Sequence, residues 1–255
     1  MVCILPPLSR NMKNKPTTNT ALINSIDSTS SDQLSKDGWH RFGNDDWHAL
    51  AYIPPDGWPP MPGHGHQDLS NFELHDGETQ LLVDPGRGSY ADSLYANATV
   101  HNCITMDGYG PSPINRPYYD DTFRRRIVSH PPVFEKTRSG RILQSHGFSR
   151  FAGVGSFMRE WRFTRQRLTI LDQIEGRGNR RIERHYFTTA DVELEKRGAM
   201  LYANGRRWRI SAEHRPRIKP APRWIAYGIA IPGNIISFGR IEKLPFKGVT
   251  ILERL

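Results

Sequence analysis

Cysteine is nearly absent from the 255-residue chain: only Cys3 and Cys103 occur, which excludes a disulfide-stapled scaffold and a Cys-rich zinc module. No apolar run approaches the ~18 residues of a membrane-spanning helix. The nearest stretch, Trp224 to Phe238, is broken by Pro232 and Gly233, so no membrane span is expected. The opening MVCILPPLSR has too short an apolar stretch, with no basic residue before it, to read as a signal peptide. Long helical periodicity is also scarce. With 22 glycines and 19 prolines punctuating the chain, frequent turns are expected and a mostly helical domain is not.

Acidic residues are outnumbered: 26 Asp and Glu against 35 Lys and Arg give a formal charge of +9. That balance favours an anionic partner, whether nucleic acid, a membrane surface or an acidic polysaccharide. Nothing in the sequence resembles a helix-turn-helix, a zinc finger or an RNA-binding motif, so nucleic acid rests on charge alone.

Residues 1–36 are rich in Ser, Thr, Asn, Lys and Pro and read as a tail or linker, with a short helix over Leu22 to Leu34 as one option. From Trp39 onward the pattern becomes short strands between turn signals. Trp47 to Tyr52 is an apolar strand. Asp76-Gly77 reads as a hairpin turn between Leu69–Leu74 and Thr79–Val83, pairing His75 with Glu78. Ser139-Gly140, the GRGN at 176–179 and Asn204-Gly205 mark further turns. Phe157, Trp161 and Phe163 share one parity, as do Leu168 and Ile170, which is the period of a half-buried strand. The expected fold is all-β: a large antiparallel layered β-sandwich over residues 37–255, preceded by the irregular or partly helical segment.

The chemistry-bearing residues cluster early. PGHGHQD at 62–68 places His64 and His66 one residue apart, flanked by Gly63 and Gly65, so in extended backbone both rings face one way. The bland alternative is a polar surface loop. Asp84 ends a strand in VDPG, where a turn-capping role competes with a functional one. His101 in ATVHNCITMDG is read as a strand residue alternating with Asn102. Imidazoles with a carboxylate suit zinc at a site of three protein ligands. Asp68 is placed to orient a ligating imidazole. Cys103 reads as a small buried residue rather than a ligand.

The segments GHGHQDLSNFEL (63–74), LLVDPGRGSY (81–90), VHNCITMDG (100–108) and REWRFTRQRLTILDQIEGRGNRRIERHYF (159–187) together resemble the C-terminal domain of the heparinase II/III family of polysaccharide lyases. The resemblance implies that His66, Asp84 and His101 hold zinc. It also implies that His64 lies toward substrate and takes part in catalysis, and that the reaction is β-elimination on a uronic-acid-containing polysaccharide. The zinc is expected to be structural, pinning the loop that presents His64. Family enzymes begin with a helical toroid that supplies a catalytic Tyr, and nothing in these residues resembles it. A separate toroid domain or subunit is therefore an expected partner beside the acidic polysaccharide, and a periplasmic or secreted location is implied. The HN of the family is usually followed by Thr; here Cys103 follows.

Arg124-Arg125-Arg126 and Arg206-Arg207 are candidates for contact with carboxylate or sulfate, although arginines on alternating strands usually form a solvated face. Tyr90, Tyr109, Tyr118 and Tyr119 are candidates for stacking on sugars or for acid/base work. Two other readings compete. One is a non-catalytic module that binds acidic glycans. The other is a cupin-like metalloenzyme, whose H-x-H would need a Glu a few residues on; here the next is Glu73.

Overall fold

The computed structural model describes residues 33–57, 66–88, 94–113 and 130–255. Residues 33–36 form a helical turn, and the rest of the expected helix lies outside the described residues. Four strands open the domain: β1 (Trp39–Gly43), β2 (Trp47–Tyr52), β3 (Glu73–Asp76) and β4 (Thr79–Leu82). There follow β5 (Ile104–Met106), β6 (Val133–Thr137), β7 (Gly140–Ser145), β8 (Val154–Phe163), β9 (Arg167–Gly176) and β10 (Asn179–Thr188). The last are β11 (Asp191–Leu194), β12 (Gly198–Ala203), β13 (Arg206–Ser211), β14 (Arg217–Ala226), β15 (Ile229–Lys243) and β16 (Phe246–Arg254).

They form three antiparallel sheets, ordered β1-β2-β3-β4, β14-β15-β10-β5 and β11-β12-β13-β16-β9-β8-β7-β6. The eight-stranded sheet packs against both smaller ones. Trp161 of β8 meets Phe42 of β1 edge-on at 5.5 Å and Phe72 at 5.6 Å, while Arg184 of β10 reaches Thr250 of β16. The two smaller sheets adjoin along a seam, where Val83 N–H donates to the Phe187 carbonyl at 3.0 Å. This is the layered sandwich expected from the alternation, and not the small barrel that a cupin-like reading requires.

Local chemistry explains which hairpins form as expected. Asn204 and Gly205 both have positive φ, 50° and 73°, and Ala203 pairs with Arg206 across them, as a two-residue turn matched to strand twist demands. The β3–β4 turn differs from expectation. Asp76 pairs with Thr79 and His75 with Gln80, so Gly77-Glu78 is the turn and Asp76 remains in the strand. The reason is long-range: the Asp76 carboxylate accepts from Trp208 Nε1 at 2.7 Å and from two nitrogens of Arg254. A register shift between Leu74 and His75 then sets Leu74 opposite Leu82, and Leu69 and Ser70 lie in a turn rather than a strand. The uninterrupted meander is also corrected. The glycine-rich link at 176–179 joins β9 and β10, which belong to different sheets, so it is a corner and not a hairpin. Positive φ at Gly176 and Gly178, 144° and 93°, permits that change of direction.

The inward face of β8 carries a charge among its aromatics. Arg159 shares parity with Phe157, Trp161 and Phe163 and is fully buried, paired with the equally buried Asp172 of β9 through two bonds of 2.7 and 3.0 Å. Breaking one side of such a pair strands a buried charge. Asp172→Leu is expected to cost about 3–5 kcal/mol in urea unfolding, and Arg159→Met/Asp172→Leu to recover at least half of that loss.

Candidate metal centre

The antiparallel meander decides where the chemistry gathers. The β1–β2 and β3–β4 turns lie at one end of their sheet, so the chain leaves β2, enters β3 and leaves β4 at the other. The segment holding His66 and Asp68 precedes β3, and Asp84 follows β4. His101 lies at the C-terminal end of a short 3-10 turn, Ala98–Val100, whose Asn97 side chain accepts from Thr99 N–H. It is therefore not a strand residue as expected; β5 begins only at Ile104.

Both expected imidazoles converge. The His66 and His101 rings are 5.2 Å apart, and one ligand atom from each of His66, Asp68 and His101 fits within a span of 4.8 Å. Asp84 Oδ2 lies 2.8 Å from His101 Nδ1, while Asp68 Oδ2 is 3.7 Å from His66 Nδ1. His101 Nε2 faces the Tyr95 carbonyl at 2.9 Å, and a carbonyl can only accept. That bond leaves Nδ1 directed at the cluster, the arrangement expected of an imidazole that binds a metal through one nitrogen and is oriented through the other. Two ligands about 2.0–2.1 Å from a tetrahedral zinc lie about 3.3 Å apart, so Asp84 and His101 need to separate by only about half an ångström. The group that could hold a metal ion is thus His66, Asp68 and His101; Asp84, expected as a ligand, touches His101 but falls outside that group, and Asp68, expected only to orient an imidazole, falls inside it.

Asp84 is itself held: Oδ2 accepts from Asn71 Nδ2 at 2.7 Å and Oδ1 from Gly86 N–H at 2.8 Å. Burial alone would raise its pKa, but His101 first, then His66 and the Gly86 N–H, keep it well below the usual carboxylate range. Burial lowers the His101 pKa, and Asp84 more than reverses that. Burial brings His66 down to about 4, with Asp68, 3.7 Å away, acting against it. Beside the cluster, burial and the neighbouring Asp84 push Glu73 up to about 7, with Arg223 acting against them.

His64, the residue assigned to catalysis, lies outside the described residues, as do Tyr90, Tyr118, Tyr119 and Arg124–Arg126. Tyr109 is half-exposed and packs against Phe151 at 5.8 Å. Cys103 is fully buried with its thiol pKa pushed up by burial, in keeping with a packing role. Sequence reading missed three supports. Asn71 orients Asp84. Asn102 joins the surrounding segments. Arg159 donates to the Ser70 carbonyl at 3.2 Å and the Asn102 carbonyl at 2.8 Å, bracing both histidine-bearing segments from below. A usable signal existed only for Arg159, as a charge on the parity of Phe157 and Trp161.

The fold and site define a sandwich domain with a histidine–carboxylate cluster where its two smaller sheets meet. The chain belongs to the heparinase II/III-like, C-terminal family, which matches residues 27–237. Solved structures agree in fold. A heparinase III with methylated lysines superposes with a TM-score of 0.65 at 15% identity, covering 86% of this chain and 34% of its own. The heparan sulfate lyase HepC from Pedobacter heparinus gives 0.62 at 14%, covering 92% and 41%. The chain thus spans about a third to two-fifths of the length of these relatives. No curated protein sequence matches it. Among the described residues no helix is long and apolar enough to cross a membrane.

Next to the cluster, fully buried His185 bridges Thr105 Oγ1 at 3.0 Å and Ser237 Oγ at 2.9 Å, and burial, with Arg217 and Arg159, lowers its pKa to about 3. Its folded pKa lies below the unfolded value. Its neutral form therefore costs nothing above pH ~6.5 but destabilises the fold progressively below it, as the unfolded chain takes up the proton first. Urea unfolding at pH 7 and pH 5 should show a loss about 2 kcal/mol smaller in His185→Gln than in the wild type.

Proposed function

We propose that this domain is the β-sandwich portion of a polysaccharide lyase that cleaves uronic-acid-containing polysaccharide by β-elimination, with zinc held by His66, Asp84 and His101. The observation that supports this most is the meeting of His66, Asp68 and His101, with Asp84 bonded to His101 and His101 already oriented by a backbone carbonyl, in a member of the heparinase II/III-like family. When bound, zinc would supply a structural pin between three chain segments, with Asp68 orienting His66 or completing the coordination. His66 is two residues beyond His64, so fixing one restrains the other.

In the elimination, a base takes the C5 proton and negative charge builds on the uronate carboxylate. The C4–O bond then breaks as C4=C5 forms, and an acid protonates the leaving oxygen. His64 is proposed as that base, or as an imidazolium that neutralises the carboxylate. A helical toroid, as a separate domain or subunit, would supply the remaining acid/base group. A second reading is a sandwich that binds acidic glycan without cleaving it.

Metal analysis tests the site. After dialysis against zinc, the purified chain should hold about one zinc per molecule, lost in His66→Ala, His101→Ala and Asp84→Ala. Asp68→Ala should retain the metal with affinity lowered about 10–100-fold if Asp68 only orients His66. Binding should weaken as pH falls, because zinc must displace the proton that Asp84 favours on His101. A folded wild type that binds no zinc would refute the assignment. For the reaction, incubation with heparan sulfate or alginate should raise ultraviolet absorbance through the unsaturated product once a toroid domain is supplied. Binding with no rise under that condition would establish the non-catalytic reading.

A further inference from the structure

At the end of the sandwich opposite the histidine cluster lies a cleft of about 890 Å³, where four hairpin turns meet the end of β16. Its Asp76 side is separated from Asn71 by the length of β3, about 16 Å along extended chain. The cleft has a rigid, electrically balanced floor. Asp76 is buried and accepts from Trp208 Nε1 and Arg254, while Arg254 also lies 4.7 Å from the centre of the Trp47 ring. The rim is different. Arg206 has only a 3.6 Å approach to the already satisfied Asp76, and Arg207 makes no ion pair among the described residues. Both residues are exposed and line a cleft also lined by Asp45, Gln166 and Asn204. The Tyr202 ring beside them is held through its hydroxyl, 2.9 Å from Glu193.

This mixture discriminates between ligands. Asp45 and Asp191 on the same lining repel a closely spaced polyphosphate, Asp46 being paired with Arg254 at 3.2 Å, and the two arginines repel a cation. A ligand with many hydroxyls and sparse negative charge satisfies both. We propose that the cleft is a second subsite for acidic polysaccharide, with Arg206 and Arg207 taking a uronate carboxylate or sulfate and Asp45, Gln166 and Asn204 taking hydroxyls. The inference rests on the reading that the ligand is an acidic glycan. It adds a holding site remote from the cluster.

The test is equilibrium binding of a labelled, unsulfated uronate-containing oligosaccharide at physiological ionic strength, with a neutral cello-oligosaccharide in parallel. Arg206→Gln/Arg207→Gln should weaken acidic binding at least about tenfold without changing zinc content. Arg138→Gln/Arg177→Gln, which removes the same charge from other turns, should change it less than about twofold. Equal weakening by both pairs, or none by either, overturns the subsite while leaving the lyase reading intact. A wild type that binds no acidic glycan overturns both.

Discussion

The site depends on one buried amide. Asn102 donates from Nδ2 to the carbonyls of Phe72 and Val83, at 2.7 and 3.1 Å, and accepts at Oδ1 from Phe187 N–H at 2.7 Å. Its own N–H donates to Asn71 Oδ1 at 2.9 Å, and its carbonyl accepts from Arg159. These bonds tie the segment before β3, the end of β4 and the end of β10 to the residue that follows His101. They lie where the two smaller sheets adjoin without forming a continuous ladder, so backbone groups that a strand would have paired are satisfied by a side chain instead. The same residue thus closes the seam and fixes the position of His101.

Beneath it, the Arg159–Asp172 pair is costly to desolvate, and only its full set of partners makes it tolerable. Arg159 spends its remaining donors on Ser70 and Asn102. Both carbonyls belong to irregular chain that has no ladder of its own. The ion pair therefore transmits the rigidity of the eight-stranded sheet into the segments carrying His66 and His101. Asn71 continues this support outward to Asp84. An anchored set of ligands loses little freedom on binding a metal, which is what a pinning role requires.

Where sequence reading succeeded, the signal was local. The β2 strand followed from its own alternation, and the Asn204-Gly205 hairpin from two residues that tolerate positive φ. The approach of His66 to His101, and of Asp84 to His101, was legible through family resemblance, since the spacing of 18 and 17 residues carries no geometry by itself; that Asp68 joins the two imidazoles was not. Where reading failed, the deciding partner was distant. Asp76 stays in β3 because Trp208 and Arg254 hold it, more than a hundred residues away. The turn at 176–179 carries the same glycine signal as a hairpin, and only the pairing of β10 with β15 and β5 makes it a corner. His101 left the expected strand because its two nitrogens are claimed by Tyr95 and Asp84, which a straight β5 extension would not bring to them.

The two ends of the sandwich follow from the same connectivity. In the β1-β2-β3-β4 sheet the two short turns lie at one end and the longer connections at the other, and the longer ones have room to carry chemistry. Here the long connections flanking β3 and β4 bring His66, Asp68, Asp84 and His101 to one end. The short turns bring acidic and basic side chains together at the other. Near the histidines, buried carboxylate and imidazole leave little charge uncompensated, a setting suited to holding a cation. At the turns, Arg206 and Arg207 remain exposed beside carboxylates, a setting suited to a ligand that both donates and accepts. A net charge of +9 accordingly does not act as a uniform field. Some guanidinium groups, such as those of Arg159 and Arg254, are tied to buried carboxylates, while others stand exposed at the turns, so the charge is distributed unevenly over the surface.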